Sequence, residues 1–231
     1  MIKRALPLAA VLALAACSQE PAKETSGPAA NPPPVTTPSA SPSAPPAAGE
    51  QGGTALWKTV ATAEDQDRIA RLPAAWEAAL AEAEQDHGAE IDALGLLGAP
   101  DGGRAGALQP APGKYRCRTI KIGAKGEGNL DYVAYGWFTC TVELTPGGDL
   151  ILTKASGSQR SRGLLYPDTD RRLVFVGAQA WGADETTFPA YGQRAERDQV
   201  GVFERIGIER WRLVLPWPKQ EAKLEVLELK K

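Results

Sequence analysis

Residues 130–144, LDYVAYGWFTCTVEL, alternate in a way that few conformations other than a β-strand would produce. Tyr132, Ala134, Phe138, Cys140, Val142 and Leu144 share one parity, and Asp131, Thr139, Thr141 and Glu143 share the other. Successive side chains of a strand point to opposite faces, so the pattern predicts one long strand with a buried and a wetter face. Just upstream, Glu127-Gly128-Asn129-Leu130 suits a tight bend with glycine first. That bend would fold the preceding residues back on the strand, setting Tyr115 against Val142, Thr119 against Phe138, and Cys117 directly against Cys140. Opposed Cβ atoms lie about 4.5–5.5 Å apart, within reach of a disulfide after a small adjustment.

The N-terminus bears on whether those thiols meet an oxidant. Lys3 and Arg4 precede an apolar run at residues 6–16, which is too short to span a bilayer as a helix and fits a secretory signal. The run ends Leu14-Ala15-Ala16-Cys17, which resembles the lipobox of bacterial lipoproteins. The resemblance implies that 1–17 is a lipoprotein signal peptide and that Cys17 is acylated. With Ser18 next instead of an aspartate, it further implies residence at the outer membrane, facing the periplasm. In that oxidising compartment the two remaining cysteines, Cys117 and Cys140, read as a disulfide. Closing a loop of about 24 residues is worth roughly 3 kcal/mol in the chain-entropy model.

Residues 18–53 are dominated by proline, alanine, serine and glycine. Such a segment cannot bury enough apolar surface to offset its ordering entropy, so it reads as a disordered tether. Its reach runs from about 33 Å as a coil to about 110 Å as polyproline II. The folded part then begins near Thr54 and holds about 178 residues, enough for one core. Without Lys3 and Arg4 the chain carries 24 basic against 28 acidic residues. That balance argues against nucleic acid as a partner and against electrostatic docking on anionic lipid. The expected hold on the membrane is the lipid anchor.

A helical and loop segment is expected at 54–113. Thr62 reads as an N-cap with Glu64 and Asp65 in the first turn, and Ile69, Leu72, Trp76 and Leu80 form one apolar stripe. Pro73 predicts a kink or break, and Gly88 predicts the end of the helix, with His87, the single histidine, in its last turn. A further short helix is expected near 91–96.

From 114 to 231 the reading is an antiparallel barrel. A three-residue loop at Pro146-Gly147-Gly148 pairs Leu144 with Leu150 and Val142 with Leu152. Residues 162–166 and 171–177 flank a turn at Pro167-Asp168-Thr169-Asp170, and 178–199 form a longer polar connection. Residues 200–206 and 209–215 meet at Gly207-Ile208, setting Val202 against Leu213 and Val200 against Leu215. Pro216 and Pro218 stop that strand, and 223–229 supply a last one. About eight short strands in hairpin order, with no helical pattern between them, define an α+β, mainly antiparallel β class. The expected architecture is a lipocalin-like up-and-down barrel or a sandwich, with one or two N-terminal helices packed on it or over one mouth.

Several phrases carry a family resemblance: Tyr115-Arg116-Cys117-Arg118, Gly157-Ser158-Gln159-Arg160, Leu165-Tyr166-Pro167-Asp168, Glu204-Arg205-Ile206-Gly207 and RWRLVLPWP at 210–218. Together they resemble an uncharacterised, domain-of-unknown-function family of alphaproteobacterial exported proteins over roughly Trp57 to Leu229. The resemblance brings no activity with it. More loosely, a disulfide-clipped periplasmic barrel is similar to calycin-type metalloprotease inhibitors. Those act through a free N-terminal trunk, whereas this N-terminus would be tied to a membrane.

No nucleophile–base pair is legible, since there is one histidine, no spare thiol and no serine elbow, so the expected function is non-enzymatic, with no cofactor and no metal. Asp168-x-Asp170 reads as a turn, because Arg171-Arg172 repel a cation. Paired carboxylates in a cleft would be the route to a hydrolase, but no spacing singles any out. The expected register sets Arg205 against Arg210, with Arg212 further along that face and Arg160 a candidate addition. Like charges directly opposed destabilise a sheet, so an anion, an acidic partner, or Glu225 or Glu228 belongs there. The same register puts Glu204 on the Val200/Val202 face opposite Trp211. Tyr115, Tyr132, Phe138 and Trp211 are candidates to line a cavity, and small barrels are either filled or hold one small ligand. The leading expectation is a barrel that binds a small apolar or amphiphilic molecule. The rival is a protein-interaction or envelope-structural module, inhibitor-like modules included, acting through an arginine-rich face.

Overall fold

Thr62 begins the first sizeable helix as its side chain accepts the Asp65 amide at 3.2 Å. In the structure, a computed structural model describing residues 56–231, a short α1 (Trp57–Val60) precedes α2 (Ala63–Ala70) and α3 (Leu72–Leu94). Pro73 falls in the first turn of α3, where no amide donor is needed, so the break lies at Arg71. Gly88 does not end the helix. The chain kinks at His87 (φ −126°, ψ 26°) and stays helical to Leu94, because Ile91 and Leu94 bury against the barrel. His87 is therefore mid-helix, 5.2 Å from the Tyr132 ring. The short helix expected at 91–96 is the last part of α3 plus a 3-10 turn, Gly95–Leu97.

Nine strands follow: β1 (Gly113–Ala124), β2 (Tyr132–Ala134), β3 (Phe138–Leu144), β4 (Leu150–Lys154), β5 (Gln159–Pro167), β6 (Leu173–Trp181), β7 (Asp198–Gly207), β8 (Arg210–Pro216) and β9 (Ala222–Lys230). They pair in the order β2-β1-β3-β4-β5-β6-β7-β8-β9, and β1 also pairs with β9. Eight antiparallel strands thus close an up-and-down barrel, with β2 as one extra strand on its wall.

The long strand expected at 130–144 is broken. β2 pairs with Ile120–Ile122 and β3 with residues 113–117, while Tyr135-Gly136-Trp137 leaves the ladder between them. The bend is also longer than the expected two-residue loop. Gly123, near the end of β1, adopts φ +70°, and a Cβ there would lie 2.9 Å from Ala79 Cα, so only glycine admits α3 this close to the strand. The register moves by two residues, pairing Tyr115 with Cys140 and Cys117 with Phe138. A shift of two preserves the faces. Cys117 and Cys140 become diagonal neighbours with Cα atoms 5.8 Å apart, and they are disulfide-bonded.

The β3–β4 hairpin pairs Leu144 with Leu150 and Val142 with Leu152, as its loop dictates. β6 and β7 run further than expected, shortening the connection between them to 182–197. At β7–β8 the expected pairing slips by one: Val202 meets Val214, Glu204 meets Arg212, Arg205 meets Trp211, and a bulge near Ile206 takes up the difference. Burial decides this register, since it opposes Phe203 to Leu213, both wholly buried in the barrel interior. The expected pairing would have set an outward valine against an inward leucine.

The interior holds Tyr115, Cys117, Cys140, Leu152, Phe175, Phe203, Trp211, Leu213 and Leu229 in one cluster. The helices cover the outer wall. Trp76, Ala79, Ile91 and Leu97 pack on Ile120, Val214 and Val226, and Trp57 and Ile69 pack on Val174 and Val202.

Candidate functional site

The inward parity of three strands ends in charge. β1 presents Tyr115 and Cys117, then Thr119 and Lys121. β4 presents Leu150, Leu152, then Lys154. β9, read backward, presents Leu229, Leu227, then Glu225. Lys121 stands directly opposite Glu225. All three are almost fully buried, so one half of the barrel is apolar and the other carries an ionic cluster.

Lys121 donates to Gln159 Oε1 at 2.7 Å and to the Glu221 carboxylate, and it lies 5.6 Å from the Tyr135 ring. Two of its three N–H donors are thereby used. The bond from Lys121 holds the Glu221 carboxyl below its usual range, and Gln159 Nε2 donates to the same carboxylate at 2.9 Å. Glu221 adopts φ +63° and Trp217 φ +47°, left-handed conformations costing non-glycine residues about 1–2 kcal/mol each. Lys125 Nζ fixes this segment through the carbonyls of Pro218 (2.7 Å) and Lys219 (2.6 Å).

Behind Lys121, Lys154 donates to the carbonyls of Ser156 (3.1 Å) and Gln159 (2.7 Å) and lies 4.0 Å over the Phe138 ring. Burial pulls its ammonium down to about 8. Burial pushes the Glu225 carboxyl up, against the pull of Lys121 and Lys154. Above Lys121 a cleft of about 200 Å³ opens between Gly128, Asn129, Leu130, Val133, Tyr135 and Glu221. Leu130 is 67 % exposed and Tyr135 40 %, so the walls offer apolar surface to solvent while the floor is an ammonium. This arrangement suits a small molecule with a hydrogen-bond acceptor at one end and carbon at the other.

The residues singled out from sequence lie elsewhere. Tyr115 and Trp211 meet edge to face at 5.9 Å inside the filled core, with Phe138 packed beside them and Tyr132 on the outer wall under α3. These four do not line a common space. Arg212 is wholly buried outside the barrel wall: Nε donates to Glu204 at 2.8 Å, and Nη1 donates to the carbonyls of Leu96, Leu97 and Ala99 at 2.8, 3.1 and 2.6 Å. Glu204 therefore faces Arg212 and not Trp211. The pair fastens the 3-10 turn Gly95–Leu97 and the residue after Gly98, just beyond the end of α3, to the outer wall. Arg205 lies against the Arg104–Gly106 segment, with its carbonyl accepting the Arg104 amide. Arg210 shares Glu228 with Arg118, each at 2.6 Å. Arg160, on β5, holds the 182–197 connection through the carbonyls of Gly182 and Glu185. Cys17, with the signal peptide at 1–17 and the tether at 18–53, falls outside the described residues.

Lys121, Lys154 and Glu221 are not among the residues the sequence singles out; Gln159 enters there only within a family phrase and Glu225 only as a neighbour of the arginines. A signal exists for three of the five: Lys121, Lys154 and Glu225 each sit on the apolar parity of their own strand. Glu221 and Gln159 have none, because a loop brings in the first and the second opens β5 beside it.

No curated protein and no solved structure matches the chain. The model of one family, described as "Domain of unknown function (DUF4893)", matches residues 57–229, a span that takes in the three helices of the outer wall and all but the last residues of the barrel. The chain belongs to the DUF4893 family.

Proposed function

We propose that this protein is a non-enzymatic binding protein of the periplasm, tethered to the outer membrane through Cys17, which holds a small amphiphilic molecule in the cleft over Lys121. The observation that supports this reading best is the buried Lys121 ammonium, with one donor unused, beneath the exposed apolar walls formed by Leu130 and Tyr135. An acceptor group on the ligand takes that donor, and its carbon lies along Leu130, Val133 and Tyr135. The barrel axis is a poor route for the ligand, since Tyr115, Phe175, Phe203 and Trp211 fill the apolar half. The cleft is below the usual size of small-molecule pockets, roughly 300–1,000 Å³, so the ligand is short or stays partly exposed. Acyl anchoring draws support from the Leu14-Ala15-Ala16-Cys17 sequence.

Native mass spectrometry on protein purified from its source tests the reading. The wild-type protein should carry a small adduct beyond its acyl chains, and Lys121→Met should lose it while keeping the disulfide. An unliganded wild-type protein, or an adduct retained on Lys121→Met, refutes it.

A further inference from the structure

The end of the barrel opposite the Lys121 cleft carries a different chemistry. There Lys230 stands directly opposite Arg116 on one side and directly opposite Arg210 on the other. Adjacent strands lie about 4.8 Å apart, so three cations rise in one row from neighbouring strands. Like charges directly opposed cost a sheet stability. Arg210 shares the buried Glu228 with Arg118, whereas Arg116 and Lys230 have no ion-pair partner among the described residues. The Trp137 ring, 41 % exposed, lies 4.6 Å from the Arg116 guanidinium. Two residues before Arg210, at the tip of the β7–β8 hairpin, Ile208 is 87 % exposed.

We infer that this end of the barrel docks on anionic phospholipid headgroups, with the unpaired Arg116 and Lys230 on the phosphates and Ile208 reaching below them. Two features of the surface favour a bilayer over an acidic protein. The tip beside the cations presents an exposed aliphatic side chain, Ile208, and the exposed indole of Trp137 against Arg116 suits the membrane–water boundary. The position of α1 agrees. Trp57 Nε1 donates to Asp168, in the β5–β6 hairpin at this same end, at 2.7 Å, so the described residues begin at this end of the barrel. The chain's net charge of −2 does not oppose this, because the field at a membrane is set by the charges within about a Debye length.

Vesicle flotation of residues 18–231, which lack both the apolar leader with Lys3 and Arg4 and the acylation site, tests the inference. Phosphatidylcholine vesicles with and without phosphatidylglycerol serve as probes. The parent should partition more strongly onto the anionic vesicles. Each cation removed should weaken that partition about fivefold, so Arg116→Gln with Lys230→Gln should weaken it about 25-fold. Ile208→Ser should weaken it too, and it alters no buried group. Circular dichroism and the intact disulfide confirm the fold of each variant. Lys121→Met should float as the parent does, which separates this inference from the ligand reading. Equal partition onto both vesicle types, variants that float like the parent, or capture by polyglutamate in place of vesicles would each overturn it.

Discussion

Arg212→Met is the most informative change to the fold. The guanidinium supplies a bond to Glu204 and bonds to the carbonyls of Leu96, Leu97 and Ala99 just past the end of α3, and its central carbon lies 5.3 Å from the centre of the Trp76 ring. Burial lowers the Arg212 pKa and Glu204 acts against that, while the guanidinium stays charged. Methionine keeps the apolar contact with Trp76 but leaves the carbonyls of Leu96, Leu97 and Ala99 without that donor and Glu204 without its cation. Breaking a buried pair typically costs about 3–5 kcal/mol, and each stranded acceptor accounts for about 1 kcal/mol or more of that. We expect a loss of about 4 kcal/mol, a large share of the roughly 5–15 kcal/mol available to a domain. Urea unfolding followed by circular dichroism reads the total. Amide exchange should show the segment from Ile91 to Pro100 opening first. Arg212→Lys keeps the charge without the fork and should fall between the two, at about 2 kcal/mol. A Met variant within about 1 kcal/mol of the parent, with unchanged exchange at 91–100, would show that Arg212 does not hold the turn that follows α3.

Other outcomes follow from the same geometry. Replacing Cys117 and Cys140 by alanine opens a link across a sequence separation of 23 and should cost about 3 kcal/mol, measured by urea midpoints of the two forms. Burial holds the Lys154 ammonium down at about 8, against 10.5 for the ordinary group, so between those values the unfolded chain binds the extra proton and stability rises with pH. Tyr191, pushed up to about 12 by burial and by its bond to Asp65, opposes this only as pH passes 10.0, where unfolded tyrosine begins to ionise. From pH 8 to 10 the parent should therefore gain stability relative to Lys154→Met, and parallel midpoints would contradict this. Glu209 holds φ +48° at the β7–β8 turn, so Glu209→Gly should add about 1 kcal/mol to thermal stability, and a loss would show that its side chain matters more than its backbone.

The barrel was legible because its determinants are local. Gly147-Gly148 fixes one hairpin and alternation fixes the faces of β3 and β4, and both act over a few residues. The registers at Cys117/Cys140 and at Glu204/Arg212 were misplaced for a different reason. Each depends on what packs from outside: α3 approaching Gly123 in the first case, burial of Phe203 against Leu213 in the second. Gly88 was read as a stop because glycine ends helices in isolation, yet Ile91 and Leu94 gain more by burial than glycine loses. The arginines looked functional because a one-residue slip placed Arg205 against Arg210. In the true register Glu204 and Glu228 neutralise Arg212 and Arg210, and the unpaired row passes to Arg116 and Lys230. The ionic cluster of Lys121, Lys154 and Glu225 was half visible as charge on an apolar parity. Its closure by Glu221 depends on a loop that no periodicity reports, and that by Gln159 on the first residue of β5 reaching across the barrel end.

The claim on which the functional account rests is that a ligand sits over Lys121 and not along the barrel axis. Titrating isotope-labelled protein with a medium-chain fatty acid and following its amide and side-chain resonances tests this directly. Saturable shifts at Lys121, Leu130, Val133, Tyr135 and Glu221, with Tyr115 and Trp211 silent, are the predicted result. Shifts centred on Tyr115 and Trp211, or none that saturate, would contradict it.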